Sequence, residues 1–218
     1  MKLKSWNTIN SYIAKVENAI NKAELGSTKL TQVELSIDGM SATKNRIFLN
    51  EIIDTDSNYL EIGTWHGSTL VSALYKNKPN SAFAIDNFSQ FKADKETFIK
   101  NCNISEVFNF EFFNENCFEL SEDKLSEIKD INVYFYDGNH DQSAHVQALT
   151  FFLKNLSKQF ILVIDDWNDD QVKIGTLKGI MDCKLNVHKY WILQADYNGD
   201  TKNWWNGFFV AVCEKPDY

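Results

Sequence analysis

Three aspartates and one histidine stand where two apolar segments of the sequence end. Asp137 closes the segment INVYFYD, Asp165 and Asp166 close FILVIDD, and His140 follows three residues after Asp137. Because neighbouring strands of a sheet lie about 4.8 Å apart, adjacent strands here would bring the three carboxylates to one spot. Carboxylate oxygens favour a hard divalent cation, first Mg²⁺ and otherwise Ca²⁺ or Mn²⁺. The pattern therefore predicts a metal site with Asp137, Asp165 and Asp166 as ligands.

A structural role is the alternative for these aspartates. Aspartates at strand ends commonly cap the following helix, as Asp141 is placed to do, and Asp166 could serve only as a turn residue. We favour metal binding over this alternative because two strand ends carry the acids together.

His140 is a candidate base. An imidazole titrates near neutral pH, and a nearby cation and the start of the following helix would both hold it unprotonated. It could then accept the proton of a hydroxyl group. A surface histidine at a helix start is the structural alternative.

A turn with two glycines follows the first strongly apolar segment. The sequence EIGTWHG (61–67) precedes a predicted helix, where glycine and the free N–H groups of the helix start favour close approach of an anionic group. Asp86 ends the next apolar segment, where a carboxylate can hydrogen bond both hydroxyls of a ribose. Together these features indicate a nucleoside-containing cofactor. The fingerprint G-x-G-x-x-G is missing, which argues against NAD or FAD.

Apolar and amphipathic segments alternate through the middle of the chain. Nearly continuous apolar character, rich in β-branched and aromatic residues, predicts parallel strands covered on both faces at 58–62, 81–86, 108–113, 131–137 and 160–166. Amphipathic spacing predicts helices at 67–76, 90–101, 121–129 and 141–155. This alternation predicts a parallel sheet with right-handed crossovers. Segments 184–195 and 204–212, joined through the turn-rich YNGD, predict a terminal antiparallel pair.

The N-terminal segment has a different pattern. An amphipathic helix is predicted there, with one apolar stripe formed by Trp6, Ile9, Ile13, Val16 and Ile20. We predict a helical extension over residues 1–45 that acts as a lid or dimer element, with simple packing on the core as the alternative. A homodimer is therefore a possible assembly.

The composition restricts the class of protein. Of the 218 residues 44% are hydrophobic, which is enough for a core without disulfides or structural metals. The formal net charge of −8 argues against binding to nucleic acid, which requires clustered cations. The longest apolar runs, such as FILVI, are too short to cross a membrane. The four cysteines are far apart and suggest reduced thiols, and no secretory signal is seen, so we predict a cytoplasmic protein.

The segments YLEIGTWHGST, AIDNF, FFNENCFEL, VYFYDGNH and FILVIDDW together resemble class I S-adenosylmethionine-dependent methyltransferases. Within that superfamily they are similar to the metal-dependent O-methyltransferases of the catechol and macrocin (macrolide-sugar) type. The resemblance covers roughly residues 55–170. It implies a Rossmann-like, doubly wound α/β sheet over residues 46–218, mostly parallel with a terminal antiparallel pair. It also implies methyl transfer to a hydroxyl of a small molecule.

The resemblance assigns roles to individual residues. His140 would be the base, as in the macrocin type, where the catechol type has a lysine; Asp166 stands where the catechol type has an asparagine. Asp86 would hold the ribose, and Asn116, often an acid in the family, would flank the adenine with Cys117. The full set implied for the cofactor, including the residues of its methionine portion, is Glu61, Gly63, Thr64, Thr69, Asp86, Asn116, Cys117 and Asp137.

Two other functions stay open on the sequence alone. The first is a metal-independent methyltransferase of the same fold acting on another acceptor atom. The second is a non-catalytic module that binds the cofactor. Among the tryptophans, Trp65 and Trp167 are predicted to flank the cleft, and Trp204 and Trp205 to pack in the core of the last strand.

Overall fold

The structure, a computed structural model, describes the backbone of residues 2–217 and the side chains of residues 8–217. Its seven strands are β1 (Asn58–Ile62), β2 (Ser81–Ile85), β3 (Glu111–Phe113), β4 (Ile131–Tyr136), β5 (Leu156–Ile164), β6 (Asn186–Leu193) and β7 (Phe208–Glu214). They form one sheet in the order β3-β2-β1-β4-β5-β7-β6. Strands β1 to β5 are parallel, and β7 is antiparallel to both of its neighbours. The predicted fold class is confirmed.

Helices cover both faces of this sheet. They are α1 (Lys2–Leu25), α2 (Gln32–Leu35), α3 (Thr43–Ile52), α4 (Ser68–Leu74), α5 (Lys95–Ile104), α6 (Glu122–Glu127), α7 (Gln142–Phe152) and α8 (Asp170–Asp182). Residues of α1, α3, α4 and α5 pack into the core on one face, and residues of α6, α7 and α8 pack into the core on the other. Successive residues of a central strand therefore contribute to opposite cores. In β4, Val133 and Phe135 belong to the first core, and Tyr134 and Tyr136 belong to the second.

Several predicted elements have different bounds in the structure; β5, for example, begins at Leu156 rather than 160. The starts of two others have a clear local cause. Strand β3 begins at Glu111 rather than 108, because it lies at the sheet edge and pairs only with β2, over three residues. Helix α5 begins at Lys95 rather than 90, since Phe91 and Lys92 have φ values of +51° and +54° that a right-handed helix excludes. Asp94 then caps the helix by accepting hydrogen bonds from the N–H groups of Glu96 and Thr97.

The N-terminal helix packs against α3. Ile9, Val16, Ala19 and Ala23 of α1 are buried in the first core. The Trp6 side chain, part of the predicted stripe, lies outside the described side chains. It stays a prediction that the N-terminal extension acts as a lid or dimer element and that it ends at residue 45. The cytoplasmic location also stays a prediction. Among residues 2–217, no helix combines the length and the apolar character that crossing a bilayer requires.

Candidate functional site

The turn between β1 and α4 passes directly against the end of β4. Its two glycines, Gly63 and Gly67, have φ values of +87° and +86°, which side chains other than glycine rarely adopt. A Cβ atom at Gly63 would lie 1.8 Å from the carbonyl oxygen of Asp137. Glycine is therefore required at position 63 by both conformation and space.

Asp86, at the end of β2, holds this turn in place. Its Oδ2 accepts hydrogen bonds from the backbone N–H groups of Thr64 (2.8 Å) and Trp65 (2.7 Å). Its Oδ1 accepts one from the N–H of Phe88 at 2.6 Å. The carboxylate thus links the first two strand ends at the edge where open α/β sheets bind ligands.

Glu61 lies beneath the turn rather than on its surface. The residue is fully buried, and its carboxylate accepts hydrogen bonds from the hydroxyls of Tyr59 (2.5 Å) and Thr69 (2.7 Å). Burial raises the pKa of Glu61 to about 7, although the two hydrogen bonds oppose this shift. Glu61, Thr64 and Thr69 do not line the cavity beside the turn. Their predicted contacts with the cofactor stay predictions, while the side chains of Glu61 and Thr69 join β1 to α4.

A cavity of about 540 Å³ opens at the carboxyl ends of β1, β2, β4 and β5. Five of the residues predicted to contact the cofactor line it: Gly63, Asp86, Asn116, Cys117 and Asp137. Burial raises the pKa of the Cys117 thiol to about 12, so this side chain is a neutral thiol near pH 7.

The acids at the ends of β4 and β5 meet in the wall of this cavity. Asp137, Asp165, Asp166 and His140 all line it. One potential ligand atom from each of Asp137, His140 and Asp166 lies within 4.8 Å of the others. Two of the three predicted metal ligands, Asp137 and Asp166, thus lie in one cluster with His140. Asp165 lines the same cavity without belonging to this cluster, and metal binding by all three stays a prediction.

The carboxyl groups of Asp165, which is buried, and Asp137, which is half-buried, form a pair. A hydrogen bond joins their side chains, and burial together with neighbouring carboxylates raises both pKa values well above the usual range. Two such groups share a proton or require a cation, because both cannot be ionised at this separation without compensation.

His140 is paired with Asp166. Its Nε2 lies 2.8 Å from Asp166 Oδ2, and its ring stacks with Phe91 at a centroid distance of 5.9 Å. The hydrogen bond to Asp166 raises the pKa of His140, whereas burial opposes the shift. The protein groups thus shift the pKa of His140 in the direction opposite to the expected one, and the effect of a bound cation stays a prediction.

Two tryptophan predictions need correction. Trp65 lines the cavity as predicted, but Trp167 is buried and stacks on Phe209 with 4.3 Å between ring centroids. Trp204 is buried as predicted, whereas Trp205 lies before β7 in the loop and lines the cavity. The Asn206-Gly207 dipeptide, a turn signal, could have revealed that the strand begins only afterwards.

Comparison with known proteins agrees with this geometry. Residues 60–167 match a family model described as a methyltransferase domain. An O-methyltransferase from Bacillus cereus in complex with S-adenosylhomocysteine (SAH) is similar in structure, at 15% identity over 92% of this chain and 91% of that chain, with a TM-score of 0.56. No curated protein sequence matches the chain.

Structures described as RNA-modifying enzymes are also similar. A putative tRNA (m1A22) methyltransferase from Streptococcus pneumoniae, in complex with S-adenosyl-L-methionine, matches at 13% identity over 81% of this chain and 74% of that chain, with a TM-score of 0.54. An rRNA methylase from Streptococcus thermophilus matches at 14% identity over 79% of this chain and 94% of that chain, with a TM-score of 0.52.

The sheet order, the glycine turn and the acid after β2 define the class I methyltransferase fold. Residues 60–167 carry the methyltransferase domain. The chain thus contains a methyltransferase domain and has the fold of enzymes whose solved structures hold S-adenosylmethionine or SAH.

We expect Gly63→Ala to destabilise the protein more than Gly199→Ala, which is the matched control. Both glycines have positive φ values, +87° and +81°, so both variants lose about 1–2 kcal/mol through backbone strain. A Cβ atom at Gly199 meets nothing closer than 4.0 Å, whereas the clash at Gly63 should remove about 1–3 kcal/mol more. Urea unfolding followed by circular dichroism measures the difference, and SAH titration should show weaker binding in Gly63→Ala. Equal losses with intact SAH binding would contradict this account of the turn.

Proposed function

We propose that the protein transfers the methyl group of S-adenosylmethionine to a hydroxyl oxygen of a small molecule, with His140 as base and a bound divalent cation, Mg²⁺ first. The observation that carries the proposal is the cluster of Asp137, His140 and Asp166 within 4.8 Å in the wall of the cavity. A base beside a group of oxygen ligands suits deprotonation of a hydroxyl.

The donor set supports a hard cation. Asp137, Asp165 and Asp166 offer carboxylate oxygens, the ligands that Mg²⁺ and Ca²⁺ prefer. The raised pKa values of Asp137 and Asp165 reflect burial and crowding of negative charge, which a divalent cation would relieve. When bound, such a cation lowers the pKa of a coordinated hydroxyl and so favours its ionised form.

The other lining residues support a place for the cofactor. We assign Asp86 to the ribose, Asn116 and Cys117 to the adenine, and Gly63 to close approach of the methionine portion. Glu61 and Thr69 act from below the turn by keeping β1 and α4 joined.

The chain's own residues prepare the acceptor for reaction. With Nε2 of His140 donating to Asp166, Nδ1 is the ring nitrogen left to take the proton of the acceptor hydroxyl. As the O–H bond breaks toward Nδ1, the oxygen bonds to the methyl carbon and the carbon–sulfur bond breaks. The products are a methyl ether and SAH. Holding the reactants in line supplies roughly 7–11 kcal/mol of the barrier reduction.

Charge in the cavity wall favours a neutral or cationic acceptor. Among the side chains that the structure describes, six carboxyl groups line the cavity, from Asp86, Glu115, Asp137, Asp165, Asp166 and Asp169, and no Lys or Arg does. Trp65, Phe91 and Trp205 add aromatic surface. An acceptor with phosphate or carboxylate groups would meet repulsion here, so we favour a small molecule over RNA.

We expect His140→Ala to lower kcat by about 10²–10⁴-fold while SAH affinity is unchanged, because the ring serves the acceptor and not the cofactor. A methylation assay over a panel of hydroxylated acceptors measures the first quantity, and calorimetric titration with SAH measures the second. His188→Ala is the matched control, since His188 also lies 2.8 Å from a carboxylate, that of Glu214, outside the cavity. Full turnover in His140→Ala, or loss of its SAH binding, would contradict the role.

We expect chelation with EDTA to abolish turnover and added Mg²⁺ to restore it, with SAH binding unaffected by either step. Asp165→Asn and Asp166→Asn should each raise the Mg²⁺ concentration needed for half-maximal turnover, because each removes a charged ligand. Activity that survives chelation would instead indicate the metal-independent methyltransferase. SAH binding without turnover on any acceptor would indicate the non-catalytic module.

We expect acceptor charge to control kcat/KM. Between two catechols of similar size, one with an aminoethyl and one with a carboxyethyl substituent, the amine should be favoured on the order of tenfold or more. High salt should reduce the preference, because screening weakens the contribution of the carboxylates. A preference for the carboxylate, or methylation of an RNA transcript in the same assay, would overturn the assignment.

A further inference from the structure

We infer that Asn206, in the loop 194–207 between β6 and β7, is a positioning residue that orients Asp166 and, through it, His140. A role of Asn206 in catalysis rests on the proposed function, whereas its contacts with Asp166 and the loop are independent of that proposal. Asn206 is 40 residues from Asp166 in the chain, and only the fold brings the two together.

Asn206 and His140 hold opposite oxygens of the same carboxylate. Asn206 Nδ2 donates a hydrogen bond to Asp166 Oδ1 at 2.5 Å, and His140 Nε2 lies 2.8 Å from Asp166 Oδ2. Two donors on two different oxygens fix the rotation of the carboxylate plane. The direction in which His140 is held therefore depends on Asn206, which acts through the carboxylate of Asp166.

The orientation of the Asn206 amide is itself determined by the loop. Its Oδ1 accepts a hydrogen bond from the backbone N–H of Gly199 at 2.7 Å, so its NH₂ group must face Asp166. Two backbone hydrogen bonds join the end of this loop to the residues that follow Asp166. They run from Trp167 N to Gly207 O (2.9 Å) and from Asn168 N to Asn206 O (2.8 Å). These contacts fix the position of the Asn206 amide beside Asp166.

Asp166 requires such support. The residue is buried, with 8% exposure, and has a φ of +56°, which an aspartate adopts only at a cost. Crowding by Asp137 and Asp165 would turn an unsupported carboxylate away from its place between His140 and Asn206. A donor at Oδ1 compensates this repulsion and leaves Oδ2 to His140.

Asn206→Asp tests the inference with minimal change of shape. An aspartate keeps an oxygen for the Gly199 N–H but replaces the donor to Asp166 with a second, repelling oxygen. Asn203→Asp is the matched control on the same loop. Asn203 Nδ2 donates to Asp200 Oδ2 at 2.7 Å, and Asp200 does not line the cavity. Both variants thus lose an amide–carboxylate hydrogen bond, but only one loses it at the site.

The primary measurement is the imidazole NMR signal of His140 in metal-free buffer, assigned by its absence in His140→Gln. We expect Asn206→Asp to shift the Nε2–H resonance or abolish it, and Asn203→Asp to leave it in place. In the methylation assay, Asn206→Asp should lower kcat by about 10–100-fold with the KM for S-adenosylmethionine unchanged. If Asn206→Asp fails to fold, Asn206→Ala, which adds no charge, should give a smaller change in the same direction.

The outcomes separate this inference from the proposed function. An unchanged His140 signal and kcat in Asn206→Asp, or equal changes in Asn203→Asp, would overturn the role of Asn206. A shifted signal in a protein that methylates no acceptor would support the contact and overturn the proposed function instead.

Discussion

The parallel pairing of β1 with β4 is the constraint on which the site depends. Ile62 pairs with Tyr136, so the two chains leave the sheet side by side, and Asp137 N donates a hydrogen bond to Ile62 O at 2.8 Å. The glycine turn and the acid cluster are therefore neighbours by register alone. The contact is so close that Gly63 has no room for a side chain, which ties the proposed cofactor side of the cavity to the proposed acceptor side.

Repulsion between carboxylates is the main unfavourable interaction at the carboxyl ends of the strands. Different hydrogen-bond donors compensate it at each position. Asp86 receives three backbone N–H groups, and Glu61 receives two hydroxyls. Asp166 receives His140 and an asparagine from the last loop. Asp165 accepts one backbone N–H, that of Asp166, and shares a hydrogen bond with Asp137. Charge compensation by the protein is thus least complete at this pair, where a proton or a cation is required.

Much of the fold and part of the site could be predicted from local patterns. β1 has the predicted bounds, because it places apolar side chains, those of Tyr59, Leu60 and Ile62, in the cores on both faces and the turn that follows contains glycine. The convergence of Asp137, Asp165 and Asp166 followed from strand ends of a parallel sheet, which meet at one edge whatever the details of packing. Two starts could not be predicted. The start of β3 depends on its pairing with β2 at the sheet edge, and the start of α5 depends on the positive φ values of Phe91 and Lys92.

The sequence by itself determined the order of elements, the glycine turn and the residue types at the strand ends, because each depends on neighbours a few positions apart. Only the tertiary structure decided where these side chains lie: Glu61 is turned inward, Asp165 lines the cavity outside the cluster of possible ligands, and Trp205 is in the cavity wall. The hydrogen bond from Asn206 to Asp166 is likewise formed only in the tertiary structure. These contacts join residues far apart in the chain, and their geometry depends on how loops pack over the sheet edge, which no local pattern records.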